Sequence, residues 1–193
     1  MNMHKLRLLA LLAVLPVLAV SLYGCVAAVV GGAGTAVLVG EDRRTVGTVT
    51  EDQGIELKAV NRISDKYKEA HINVTSYNRM VLVTGEAPDA AAKAEIEKIV
   101  RAIENVRGVY NELSVGPPST LSARTNDSYI TSKVKARFVD QQKFNPVHVK
   151  VVTEAGVVYL LGLVKRKEAD DAVEITRTTS GVQRVVKLFE YID

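Results

Sequence analysis

The sequence predicts an α+β fold built from two tandem copies of one small unit. Each unit reads as helix, strand hairpin, second helix and third strand (αββαβ), which we expect to form a three-stranded mixed sheet with two helices on one face. Apolar residues recur every four positions where helices are expected and alternate where strands are expected. The pattern then repeats, and the spacing from Ile72 to Gly85 equals that from Val149 to Gly162. Internal repetition of this kind is stronger support than any single motif.

The first unit opens with a helix and a hairpin. Ile55, Ala59 and Ile63 lie on one face of the predicted helix. Residues 72–77 and 80–85 alternate in polarity on either side of a turn at Asn78 and Arg79, as the strands of a hairpin do.

The first unit closes with a helix and a strand. Asp89 stands in the first helical turn, where the helix dipole favours an acid, and Gly108 ends the helix. Residues 109–115 alternate as a third strand, and residues 116–119 read as a linker. The expected buried stripe of the helix is Ala94, Ile96, Ile99, Val100 and Ile103.

The second unit repeats this order. Residues 147–152 and 157–162 predict a hairpin with a turn at 154–156, and a helix from about residue 168 to 178 ends at Gly181. Residues 182–190 then form the last strand. The buried face of its first helix is predicted as Ile130, Val134 and Phe138.

The N-terminus carries a lipoprotein signal. Lys5 and Arg7 precede an apolar run at residues 8–20, and Leu22-Tyr-Gly-Cys25 ends in the only cysteine of the chain. The run is too short for a membrane span. We expect cleavage before Cys25 and its acylation with chains such as palmitate, and a plain signal peptide with a stray cysteine is the alternative. Val26, rather than aspartate, follows the cysteine, a sorting pattern that predicts the inner leaflet of the outer membrane.

Residues 27–40 are small and apolar. We expect a flexible tether, although a glycine-zipper helix that associates with another chain is the alternative. The sequence therefore divides into a signal peptide (1–24), an acylated N-terminus and tether (25–47), a first domain (48–117), a linker (118–125) and a second domain (126–193).

Charge and chemistry exclude several classes of function. Without Lys5 and Arg7 the net charge falls from +3 to +1, so nothing favours nucleic-acid binding. The first domain carries a net charge of −2 and the second of +2. His71 and His148 stand isolated beside strands, and no residues show catalytic or metal-binding spacing. We therefore expect no enzyme, no metal and no cofactor.

The first helix of the second domain has an unusual outer face. Opposite its buried residues, the face carries an aromatic and an aliphatic residue where charge would be usual, with lysines on its flanks. This arrangement suits shallow insertion into an anionic lipid surface, with the alternative that Tyr129 packs against the neighbouring domain. The matching helix of the first domain offers Glu56 and Asp65 and is expected to lack such a face. The candidate lipid-binding residues are Tyr129, Ser132, Lys133, Lys135, Ala136 and Val139.

The repeat also resembles a known family. The paired glycines Gly85 and Gly162, with the Gly-Val steps at 108–109 and 181–182, are similar to those of BON domains. Behind the Cys25 signal, the whole chain resembles the outer-membrane lipoproteins with two BON domains, most closely in the segments at 44–48, 72–77 and 109–112.

The resemblance implies a periplasmic, non-enzymatic protein. Such proteins bind anionic phospholipids (phosphatidylglycerol or cardiolipin) through the first helix of the second domain, support outer-membrane integrity and collect at division sites. They carry a tryptophan where this chain has Tyr129. The other function class that the sequence leaves open is a scaffold for outer-membrane assembly or for regulators of cell-wall enzymes.

Overall fold

The computed structural model describes residues 41–193, and each half of this region forms the expected αββαβ unit. The first half contains α1 (Val46–Lys66), β1 (His71–Tyr77), β2 (Met80–Ala87), α2 (Ala90–Arg101), β3 (Gly108–Asn111) and β4 (Ser114–Val115). The second half contains α3 (Leu121–Gln141), a 3₁₀ turn (Pro146–His148), β5 (Val149–Glu154), β6 (Val157–Val164), α4 (Arg166–Arg177) and β7 (Arg184–Tyr191). The predicted signal peptide, Cys25 and the segment at 27–40 lie outside the described residues. Within residues 41–193, no helix has both the length and the apolar character needed to cross a bilayer.

Both sheets are mixed, as predicted. In the first domain β2 is central, with β1 antiparallel on one side and β3 and β4 parallel on the other. In the second domain β6 lies antiparallel to β5 and parallel to β7. The predicted third strand of the first domain is broken between β3 and β4, because Leu113 turns into the hydrophobic core. The chain stays attached to the sheet there, since the Glu112 N–H donates to the Val83 carbonyl oxygen (2.9 Å).

Each domain has a core between its helices and one face of its sheet. The predicted buried faces of the first helix in each domain are confirmed, since all three predicted residues of each helix are buried. Replacing a fully buried aromatic such as Phe138 with alanine would cost about 3–5 kcal/mol. The buried helix residues are Ile55, Ala59 and Ile63 in α1, and Ile130, Val134 and Phe138 in α3.

A third apolar cluster joins the two domains. Along a strand, successive side chains point to opposite faces. Val81 and Val83 therefore face the helices, while Leu82 faces away and packs with Tyr77, Tyr159 and Leu161. The two sheets thus pack together through their second faces, and the helices form the outer layers.

Two buried aspartates fix the hairpin turns. Asp52 of α1 accepts hydrogen bonds from the N–H groups of Asn78 (2.8 Å) and Arg79 (2.7 Å). Asp127 of α3 accepts from the N–H groups of the Ala155-Gly156 turn (2.9 and 2.8 Å). All four turn residues have positive φ, the conformation of a tight hairpin turn. Each carboxylate therefore joins a helix to the hairpin of its own domain.

The predicted tether is wrong at its C-terminal end. Thr45 caps α1, since its hydroxyl oxygen accepts from the Thr48 N–H (3.1 Å). Arg43 donates to the Leu163 carbonyl oxygen (2.8 Å) and to both carboxylate oxygens of Glu168 (2.6 and 2.8 Å). The compact unit that contains both domains consequently starts at Asp42 and ends at Asp193.

Part of the predicted linker at 118–125 is helical. Thr120 caps α3, because its hydroxyl oxygen accepts from the Ala123 N–H (3.2 Å), so the helix begins at Leu121. Thr120 holds the place in the second domain that Thr45 holds in the first, and the repeat therefore extends further towards the N-terminus than the apolar pattern indicated.

Smaller corrections concern single elements. Ala94 is exposed, and Ala92 takes its place in the buried stripe of α2. β5 begins at Val149 rather than at residue 147, because Asn145 and Pro146 start a 3₁₀ turn. The helix predicted from about residue 168 begins two residues earlier, and the last strand begins at Arg184 rather than at residue 182.

Candidate functional site: the outer face of helix α3

Helix α3 is held firmly against its domain. Its buried side bears Phe138, whose ring packs edge-on against Phe144 with centroids 4.9 Å apart. Arg137 donates to the Ile175 carbonyl oxygen and to the Thr179 hydroxyl, both at 2.8 Å, and so ties α3 to α4. The outer face is therefore presented on a rigid support.

The predicted outer face is exposed. Tyr129 is 62% exposed and Val139 is 58% exposed, which excludes packing of Tyr129 against the first domain. Ser132 and Ala136 are also exposed between them. The Ser132 hydroxyl donates to the Ser128 carbonyl oxygen within the helix (3.0 Å), so it presents little unsatisfied polarity.

The two predicted lysines occupy different environments. The Nζ of Lys133 lies 4.6 Å from the centroid of the Tyr129 ring and donates to the Ser180 carbonyl oxygen. Lys135 is exposed on the other flank. Asp140, near the C-terminal end of α3, is an exposed acid close to the same face. The positive character of the face is therefore greatest in its middle, near Tyr129.

One exposed apolar residue of this face, Leu121, is not among the predicted lipid-binding residues. Leu121 is 79% exposed at the first position of α3. At 100° per residue it shares its angular position with Val139, five turns away. Leu121 falls in the predicted linker, and the signal in the sequence for a helix start there is the capping residue Thr120.

The first domain does have an exposed apolar helix face, contrary to the prediction. Leu57 is 64% exposed on α1, and Val60 is exposed one turn further along. Gly54 stands where α3 has Tyr129, so this face lacks an aromatic residue. The prediction rested on the acids Glu56 and Asp65 of α1, which lie on the flanks of this face.

Neither His71 nor His148 is isolated, which corrects another prediction. The Nδ1 of His71 lies 3.0 Å from an Oε of Glu86 and 3.8 Å from an Oε of Glu154. The Nδ1 of His148 lies 3.7 Å from an Oε of Glu168. The fold supplies these neighbours from other strands and from a helix, so no spacing along the chain could show them.

The carboxyl group of Glu168 has a strongly lowered pKa. The hydrogen bonds from Arg43 lower the pKa of the Glu168 carboxyl to about 2, against a partial desolvation that raises it. This carboxylate remains ionised at neutral pH and joins the start of the compact unit to the second domain.

The chain belongs to the BON-domain family, whose profile matches residues 51–117 and 126–193. It is similar to the outer membrane lipoprotein DolP of Haemophilus influenzae, with 37% identity over 94% of this chain and 96% of that protein. It is also similar to a 21 kDa hemolysin of Actinobacillus pleuropneumoniae, with 32% identity over 78% of this chain and 79% of that protein. The osmotically-inducible protein Y of Escherichia coli is 29% identical over 72% of each chain.

These likenesses confirm two BON domains in an outer-membrane lipoprotein of the DolP type. The prediction that the chain is not an enzyme accords with its membership of the BON-domain family, and none of the three names describes a catalytic activity.

Proposed function

We propose that the outer face of α3 binds anionic phospholipids, such as phosphatidylglycerol or cardiolipin, in the inner leaflet of the outer membrane. The observation that supports this most strongly is the exposure of Leu121, Tyr129 and Val139 along one side of a rigid helix. Aromatic and aliphatic residues at such positions are unfavourable in water and favourable at the headgroup boundary of a bilayer.

The apolar residues set the depth and strength of insertion. Full burial of an aliphatic or aromatic side chain contributes about 1.5–3 kcal/mol, and these three are more than half exposed in water. Together they would contribute on the order of 3–5 kcal/mol to binding. This binding free energy is enough for a reversible contact with the membrane and is far smaller than the insertion free energy of a membrane-spanning helix.

The lysines supply the preference for anionic lipid. A lysine near an anionic surface contributes about 1 kcal/mol, and this attraction falls off within about 8–10 Å at physiological ionic strength. Lys135 is free to reach a phosphate group from its exposed position, and Lys133 lies against the ring that would enter the headgroups. Binding through this face would therefore weaken as salt increases.

The lipid anchor would hold α3 close to the membrane, so that even a weak contact between α3 and lipid can form. In our proposal, acyl chains on Cys25 hold the protein on the periplasmic side of the membrane. Helix α3 then binds the lipid headgroups of that membrane surface. A protein held in this way would concentrate where anionic lipids are enriched, which accounts for the expected accumulation at division sites and for a role in outer-membrane integrity.

The experiment that tests this proposal is flotation of residues 26–193, which lack the anchor, with lipid vesicles. We expect flotation with vesicles containing phosphatidylglycerol, little with zwitterionic vesicles, and loss of flotation in 0.5 M salt, about three times the physiological strength. Charge reversal by Lys135→Glu would weaken flotation, whereas Lys58→Glu on α1 would not. Equal flotation with both lipids, or equal loss in both variants, would contradict the proposal.

A second candidate function is a protein scaffold. It is favoured by the separate apolar face of α1, where Leu57 and Val60 are exposed away from the proposed lipid contact. The partners would be outer-membrane assembly factors or regulators of cell-wall enzymes. A photo-crosslinking residue at position 57 would then capture a defined protein in detergent without added lipid, while the same residue at position 129 would not.

A further inference from the structure

Three side chains that are distant in the sequence meet at the junction of the two domains. His71 comes from β1 and Glu86 from β2, both in the first domain, while Glu154 comes from β5 of the second. One ligand atom from each of them lies within 4.8 Å of the other two. The Nδ1 of His71 lies between the carboxylates, 3.0 Å from Glu86 and 3.8 Å from Glu154.

The carboxylates of Glu86 and Glu154 are both buried. Glu86 is 9% exposed and Glu154 is 7% exposed. Among the described residues, His71 supplies the only ion-pair contact within 4 Å for either carboxylate. Their remaining hydrogen bonds come from neutral groups: the Ser119 N–H to Glu86 (2.9 Å) and the Asn73 side-chain amide to Glu154 (3.0 Å). Buried charge of this kind is costly unless a cation compensates it.

The spacing of the three groups suits a metal ion. With ligand bonds of about 2.1 Å, neighbouring ligand atoms are about 3.4 Å apart in tetrahedral geometry and about 3.0 Å apart in octahedral geometry. The two separations that involve His71, 3.0 and 3.8 Å, lie around these values, and the two carboxylates lie within 4.8 Å of each other. A cavity of about 340 Å³, lined by His71 and Glu154 among others, adjoins the cluster and offers a path for the ion and its waters.

We propose that His71, Glu86 and Glu154 bind a divalent transition-metal ion, such as Zn²⁺, that links the two BON domains. One imidazole nitrogen and two carboxylates form a ligand set that Zn²⁺ accepts, with water completing the coordination. Ligation through Nδ1 leaves the ring proton on Nε2, which lies 3.2 Å from the Asn73 amide nitrogen. Because the same amide nitrogen donates to Glu154, a turn of the Asn73 amide on ion binding exchanges that hydrogen bond for one accepted from the ring N–H.

The second domain provides a matched control. His148 precedes β5 as His71 begins β1, and both side chains are half-buried. Two carboxylates act on His148, those of Glu168 and Asp42, and each is paired with an arginine: Glu168 with Arg43 and Asp42 with Arg44. The acids around His148 are therefore already compensated, unlike Glu86 and Glu154.

The experiment is a calorimetric titration of ZnCl₂ into the full chain, purified in detergent and first stripped with a chelator. We expect one saturable ion per chain and a melting temperature that rises with Zn²⁺ concentration. His71→Asn and Glu154→Gln should each weaken binding about tenfold or more, and His148→Asn should bind as the parent does. Circular dichroism of each variant establishes that it is folded.

A second measurement covers the case in which one variant does not fold. Co²⁺ in place of Zn²⁺ gives visible absorption bands that report nitrogen and oxygen ligands, and these bands should be absent from whichever of His71→Asn, Glu86→Gln and Glu154→Gln remain folded. Three results would overturn the proposal: no saturable binding by the parent, unchanged binding in the folded variants, or equal loss in His148→Asn.

Discussion

Replacing Asp127 with alanine should destabilise the second domain far more than an ordinary change on the same helix. Asp127 is 6% exposed and accepts hydrogen bonds from two consecutive N–H groups of the β5–β6 turn, at Ala155 and Gly156. Its loss leaves both donors without a partner in a tight turn whose residues have positive φ. A buried donor left without a partner, such as the Gly156 N–H, costs about 1–3 kcal/mol, and the partly buried Ala155 N–H costs less. We therefore expect a loss of about 3 kcal/mol in the free energy of unfolding.

The assay is urea unfolding followed by circular dichroism. With a denaturant slope of about 2 kcal/mol per molar urea, the Asp127→Ala midpoint should fall by about 1.5 M. Asp127→Asn keeps one acceptor oxygen and should lose about half as much. Asp140→Ala, an exposed change on the same helix, should stay within about 0.5 kcal/mol of the parent. An Asp127→Ala midpoint equal to that of Asp140→Ala would refute the reasoning.

Three further predictions concern lipid contact, acid stability and strand packing. Leu121→Ser should weaken binding to anionic vesicles about tenfold without changing the melting temperature, as measured by flotation and thermal unfolding, since the side chain is exposed; unchanged flotation would count against its role. Because Arg43 lowers the pKa of Glu168 to about 2, their pair stabilises the fold above pH 4.5 and is lost as the pH falls towards 2. Urea titrations at pH 5 and pH 2 should show the parent losing about 1 kcal/mol more than Arg43→Ala, and equal losses would contradict this. In Gly85→Ala the new Cβ would lie 2.0 Å from a carbonyl oxygen of β1 at φ +108°, so the melting temperature should fall by about 10 °C, and an unchanged value would be inconsistent with the structure.

The order of elements was predictable because the hydrophobic pattern repeats. Ile55, Ile63, Ile130 and Phe138 are buried as their spacing indicated, since a helix against a sheet must bury one face. The ends of the helices were less predictable. Capping at Thr120 depends on one hydroxyl oxygen and leaves no trace in the apolar pattern.

The candidate sites were predictable to different degrees. The outer face of α3 follows from helical geometry, so the exposure of Tyr129 and Val139 could be expected from the sequence. The cluster of His71, Glu86 and Glu154 could not, because it forms only when two sheets pack together. The periodicity of a segment predicts which face of a helix or strand is buried. It does not predict which helices and strands pack against each other.

The most direct test of the central claim compares Tyr129→Glu with a matched change on the other domain. Leu57→Glu places the same acid on an exposed apolar position of α1, with similar exposure in the parent. Residues 26–193 of each variant would be floated with phosphatidylglycerol vesicles, and both variants should melt as the parent does. We predict that Tyr129→Glu abolishes flotation and that Leu57→Glu retains it. Retained flotation of Tyr129→Glu would contradict lipid recognition by α3 and leave the anchor at Cys25 as the only proposed contact with the membrane.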